Sequence, residues 1–106
     1  MQDKYENMTV LPKANIYFEG RVVSHTAYDP SGNKFTFGVI MPGSYEFDVE
    51  SKEVIDYTAG SAKLLIPGNC EWIFVKAGDR VTIPENCKFK IISEDITEYV
   101  CAYVTE

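Results

Sequence analysis

Glu46 and Asp48 stand two residues apart in the run Ser44–Val49 (SYEFDV), and Glu53 follows shortly after. Carboxylates grouped this way can stabilise a positive charge that develops as a bond breaks, hold substrate hydroxyls, or ligate a hard cation such as Mg²⁺ or Ca²⁺. Periodicity alone gives a plainer reading, in which Glu46 and Asp48 form the wet face of an amphipathic strand. Arg21 lies inside the apolar stretch Asn15–Thr26 (NIYFEGRVVSHT) and shares parity with His25, the single histidine of the chain. A guanidinium there suits an anion, and an imidazole can donate a proton near neutrality. Lys34, Lys63, Lys88 and Lys90 are further cations, each more simply read as a solvated surface charge. Tyr17, Phe89, Tyr99 and Tyr103 offer flat faces for stacking, or ordinary core packing.

Other chemistries lack their parts. Cys70, Cys87 and Cys101 are odd in number and far apart, which argues against a disulfide framework and a cysteine-based zinc site. One histidine is too few for a three-histidine metal centre. No G-x-x-x-x-G-K-[ST] phosphate loop is present. The formal net charge of -6 disfavours nucleic acid as a partner, because the long-range field repels a polyanion. A reducing cytoplasm suits the cysteine usage. Residues 1–11 lack the apolar core of a signal peptide, and no apolar run is long enough to span a membrane.

The elements that must position these residues are short strands. Residues 1–14 have weak periodicity and are expected to form an N-terminal arm. From Asn15 onward apolar runs alternate with turn signals. Asn15–Thr26 is expected as one strand region bent at Gly20. After Asp29-Pro30-Ser31-Gly32-Asn33, Lys34–Met41 sets Phe35, Phe37, Val39 and Met41 on one side. Ser44–Val49 does the same with Tyr45, Phe47 and Val49. Strands are further expected at Glu53–Thr58, Ala62–Ile66, Trp72–Val75, Arg80–Ile83, Cys87–Ile92 and Thr97–Val104. The last has apolar residues on both faces, as in a strand buried on both sides. Many short strands with closely spaced turns read as an all-β sandwich or barrel, and 106 residues make one domain.

Two punctuated stretches resemble the cupin superfamily. Gly43 to Gly60 is similar to the first cupin motif, G-x5-H-x-H-x3/4-E-x6-G, with Glu46 and Asp48 at the histidine positions and Glu53 at the glutamate. Gly78, Pro84 and Phe89 are similar to the second, G-x5-P-x-G-x2-H, with Phe89 in place of its histidine. A closer resemblance runs through Tyr17–Thr26, Phe37–Gly43, Tyr45–Phe47, Leu64–Gly68, Trp72, Ala77-Gly78, Ile83-Pro84 and Tyr99–Tyr103. These pieces, in this order, resemble the pyrimidine/purine nucleoside phosphorylase family.

That resemblance implies a cupin-type small β-barrel over residues 15–106, metal-free, homodimeric and cytosolic, with inorganic phosphate as co-substrate and no other cofactor. The implied reaction is reversible phosphorolysis of purine and pyrimidine nucleosides to free base and ribose 1-phosphate. On this expectation Glu46, Asp48 and Glu53 aim into the barrel mouth as the catalytic carboxylates, and Arg21 leads as the phosphate ligand. His25 is a candidate donor to the leaving base, and Tyr17, Phe89, Tyr99 and Tyr103 supply a stacking wall. Two other readings stand beside it: a non-catalytic cupin module for a small sugar or nucleoside, and a metal-dependent cupin oxygenase or isomerase. The missing histidines weigh against the last.

Overall fold

The computed structural model describes residues 4–104; positions 1–3 of the expected arm and 105–106 of the expected domain lie outside the described residues. Among the described residues eleven strands follow one another: β1 (Thr9–Val10), β2 (Asn15–Tyr17), β3 (Val22–Tyr28), β4 (Lys34–Ile40), β5 (Gly43–Val49), β6 (Glu53–Ala59), β7 (Ser61–Leu65), β8 (Ile73–Lys76), β9 (Arg80–Ile83), β10 (Cys87–Ser93) and β11 (Thr97–Tyr103). The larger sheet runs β1-β3-β4-β11-β6-β9, with β2 also paired to β3, and the smaller runs β5-β10-β7-β8. Every pairing is antiparallel. Consecutive strands cross between sheets, β4 to β5 and β9 to β10 among them, so the two sheets form an open double layer. Among the described residues no helix is long and apolar enough to cross a membrane.

Alternation along each strand decides what faces the interior. Val22, Ile40, Tyr45, Val49, Ile55, Tyr57, Leu64, Ile83, Phe89 and Ile91 are buried and pack as one cluster between the sheets. β11 is the strand buried on both sides: Val100 is buried opposite Cys101, and its neighbours are β4 and β6. The outer surface of the larger sheet carries Phe35 and Phe37. Tyr5 of the arm covers them, with ring centroids 5.9 and 5.2 Å away.

The single strand expected over Asn15–Thr26 is broken. Between β2 and β3 the chain makes a tight turn at Phe18–Gly20, with φ of 52° at Phe18, 58° at Glu19 and 93° at Gly20. Three left-handed residues in a row reverse the chain, so β2 folds back on β3 with Tyr17 opposite Val22. Only Gly20 takes this conformation without penalty; Phe18 and Glu19 each cost about 1–2 kcal/mol relative to right-handed backbone.

One ion pair on the outer surface of the larger sheet is held tightly. Arg80 Nε donates to Asp56 Oδ1 at 2.7 Å and Nη2 donates to Oδ2 at 3.0 Å, and the Asp56 side chain is nearly buried. The hydrogen bonds from Arg80 hold the Asp56 carboxyl below its ordinary value of 3.8, against the opposing effect of burial. A lowered folded pKa means stability that is present above the unfolded value and lost as pH falls through the folded one. Asp56→Asn should therefore lower the melting temperature by several degrees at neutral pH and flatten its decline below about pH 4. Thermal melts of both proteins between pH 2 and 7 check this; parallel curves would contradict it.

Candidate active site

Between the sheets lies a cavity of about 580 Å³, within the range of small-molecule sites. Its two walls differ in chemistry. The larger sheet presents hydroxyls and one acid: Ser24 from β3, Thr36 from β4, Glu53 and Tyr57 from β6, and Tyr99 and Tyr103 with Cys101 from β11. The smaller sheet presents rings, Phe47 of β5 and Phe89 of β10. These two are cross-strand partners, stacked with centroids 5.6 Å apart and planes at 27°.

Glu53 is the carboxylate built into the polar wall. It stands on β6 opposite Tyr103, half-buried, and accepts a hydrogen bond from Cys101 Sγ at 3.4 Å. Burial pushes its carboxyl above the ordinary 4.5, partly offset by the Cys101 bond and by the charge of Lys34. Burial, reinforced by the Glu53 charge, pushes the Cys101 thiol well up, so it stays protonated and donates. Burial also raises the Tyr99 and Tyr103 hydroxyls, which remain neutral donors. The Thr36 and Tyr103 hydroxyls lie 3.4 Å apart. Room for Tyr99 comes from Gly38, its partner across the β4–β11 ladder: a Cβ on Gly38 would run into the Tyr99 ring.

The structure rearranges the rest of the expected site. Glu46 and Asp48 are among the residues that border the cavity, but both are exposed, on the face of β5 opposite buried Tyr45 and Val49. They lie across the β5–β10 ladder from Lys90 and Lys88. Lys88 Nζ sits 3.8 Å from an Asp48 carboxylate that is 80% exposed, a pair that contributes little in water. The inward residues of β5 are Tyr45, Phe47 and Val49, one position out of the register taken from the cupin motif. A one-residue shift on a strand turns every side chain to the opposite face. Glu53 therefore stands on the larger sheet, and Glu46 and Asp48 on the exposed face of β5, with all three bordering the one cavity. Among the described residues no three His, Cys, Asp or Glu side chains converge to hold a metal ion.

Arg21 and His25 lie away from the cavity. Both are exposed and neither lines the cavity, because the inward residues of this stretch are Val22, Ser24 and Thr26. Arg21 is not within a strand at all but follows the left-handed turn. The cation tied to the cavity wall is Lys34, whose Nζ lies 4.4 Å from the centre of the Tyr103 ring. Phe89, Tyr99 and Tyr103 do line the cavity, and Tyr17 stands at its mouth, about half exposed. Sequence reasoning passed over Phe47, Phe18, Thr36 and Cys101. For Phe47 the signal was present: it shares the apolar parity of Tyr45 and Val49.

The profile of the family described as "Pyrimidine/purine nucleoside phosphorylase" matches residues 12–103. This chain belongs to that family. A pyrimidine/purine nucleoside phosphorylase of Hydrogenovibrio crunogenus is 38% identical over 101 residues, covering 95% of this chain and 97% of the relative. A solved structure of a protein of unknown function from Acinetobacter sp. ADP1 superposes with a TM-score of 0.91 at 31% identity, covering 95% of this chain and 98% of that one. An RmlC-like cupin from Shewanella frigidimarina is similar in fold alone, with a TM-score of 0.68 at 11% identity over 86% of this chain and 81% of that one. The all-β, cupin-type architecture expected from the sequence is thus the one observed.

Proposed function

We propose that this chain is a nucleoside phosphorylase in which Glu53, rather than the Glu46–Asp48 pair, acts on the ribose. The observation that carries the reading is the opposition of Glu53 and its neighbouring hydroxyls to the stacked Phe47–Phe89 surface across one cavity. A nucleoside has the matching polarity: a flat base at one end and a hydroxyl-bearing ring at the other. Aromatic stacking tolerates purines and pyrimidines alike, since each has a π-face. Phosphate attacks C1′ while the N-glycosidic bond breaks, and the bonding pair leaves with the base, which takes up a proton from solvent. The ribose ring gains positive charge in the process. A carboxylate placed beside it in a partly desolvated wall stabilises that charge more strongly than one in water. Tyr99 and Tyr103 donate to ribose oxygens, and Lys34 at the wall attracts phosphate.

The test is direct. Purified protein incubated with uridine or adenosine and inorganic phosphate should release ribose 1-phosphate and free base. Nucleoside-dependent thermal stabilisation without product would instead support the non-catalytic binding module. Within this reading, Glu46→Gln and Asp48→Asn should each leave kcat/KM within about threefold, since exposed charges outside the wall are screened. A loss of a hundredfold in either would return the chemistry to the rim. The reading also carries a homodimer, supported by the exposed Val10, Leu11 and Ile16 along the β1–β2 edge. Sedimentation equilibrium should give twice the mass of one chain; a single-chain mass would remove it.

A further inference from the structure

Phe18 is large, apolar and 43% exposed, yet it is fixed in place from two directions. Its ring lies 5.0 Å from that of Tyr45 and 5.5 Å, edge-on, from that of Phe47. Its backbone belongs to a closed circuit. Arg21 N donates to Phe18 O at 3.2 Å, Met41 N donates to Arg21 O at 2.8 Å, and the Tyr45 hydroxyl donates to Met41 O at 2.8 Å. From Tyr45 the circuit returns through ring contact to Phe18. The turn it holds is left-handed at three successive residues, a conformation that persists only where the surroundings over-determine it. None of the three residues is itself buried; the turn is held through the Phe18 ring on Tyr45 and Phe47. What the arrangement does achieve is to set an aromatic edge over the stacked pair at the cavity mouth.

We propose that Phe18 caps the base-binding end of the cavity and sets its discrimination between purines and pyrimidines, with Tyr45 as the residue that positions the cap. This rests on the nucleoside reading above and deepens it. A purine covers enough of the Phe47–Phe89 surface to be held by stacking. A pyrimidine has the smaller face and depends on the added edge contact, so loss of the cap weakens uridine more than adenosine.

Three variants act on the circuit at different points. Phe18→Ala removes the cap. Tyr45→Phe keeps the ring and removes the hydroxyl that holds Met41. Gly20→Ala places a methyl where no atom lies within 4 Å, so its whole effect comes from disfavouring φ of +93°. Dissociation constants for uridine and adenosine are measured by titration without phosphate, alongside melting temperatures. Phe18→Ala is expected to weaken uridine about tenfold and adenosine about twofold, with Tyr45→Phe and Gly20→Ala shifting the same ratio by about threefold. Equal weakening of both nucleosides, or a ratio unchanged by Tyr45→Phe and Gly20→Ala in proteins that remain folded, would overturn the proposal. Wild-type binding without phosphorolysis would remove the phosphorylase reading while the affinity ratios still decide the cap. Wild-type protein that binds neither nucleoside would overturn both.

Discussion

Glu53→Gln should lower kcat by about two to three orders of magnitude, the scale observed when one preorganised electrostatic group is removed from an active site. The substitution keeps shape and leaves an oxygen to accept from Cys101 Sγ, so the wall should stay in place. It removes only the charge that faces the developing cation. Stability should move little, because a half-buried carboxylate is itself costly to ionise. The pH dependence separates this account from a structural role. The working form is the carboxylate, and burial raises the Glu53 pKa above 4.5. The acid limb of the kcat profile should therefore fall at a pH above the ordinary glutamate range. For stability the sign is opposite to that of Asp56. A raised folded pKa contributes stability that is full below the unfolded value and lost as pH rises through the folded one. Glu53→Gln should abolish both dependences. Rapid-quench or steady-state rates from pH 4 to 8 decide it, and a profile unchanged in the glutamine variant would place the titrating group elsewhere.

Phe89→Ala carries the largest expected effect on stability. The ring is buried, stacks on Phe47 and belongs to the central cluster. Truncating a buried phenylalanine costs about 3–5 kcal/mol, which in a domain of this size is roughly 15–30 °C in melting temperature. Against a typical total of about 5–15 kcal/mol, that brings the protein near unfolding at 37 °C. Phe89→Leu separates packing from stacking. It retains most of the apolar volume, so the melting temperature should fall by only about a third as much. It removes the π-face, so KM for either nucleoside should rise about tenfold, consistent with ~1–3 kcal/mol per stacked base. Calorimetry with steady-state kinetics on both variants checks the split. A leucine variant with unchanged KM would reduce Phe89 to core packing.

The strand framework was legible because period-2 alternation and turn residues are local signals. Lys34–Met41 and Cys87–Ile92 became β4 and β10 to within one residue at either end. Phe89 was singled out by its place in the cupin motif, while alternation left the aim of Tyr99 and Tyr103 open, because both faces of that strand are apolar. At Glu46 and Asp48 motif spacing and apolar parity point to opposite faces of the strand. Tyr45, Phe47 and Val49 already marked the buried face of that strand, and sliding the cupin motif by one residue reversed it. Physical parity carried more information there than spacing. Arg21 and His25 were misplaced by a different route. Gly20 was read as a bend in a continuing strand, but Phe18 and Glu19 join it in left-handed backbone. Nothing in their residue types announces that conformation, because tertiary contacts with Tyr45 and Phe47 impose it. Lys34 likewise carried no local signal: its place over Tyr103 depends on the β4–β11 pairing.

A crystal structure of the protein soaked with uridine is the most direct examination of how the two walls divide their work. The ribose is predicted to lie within hydrogen-bonding distance of the Glu53 carboxylate, with the base against Phe47 and Phe89. A nucleoside bound on the outer face of β5, beside Glu46 and Asp48 and out of reach of Glu53, would contradict it.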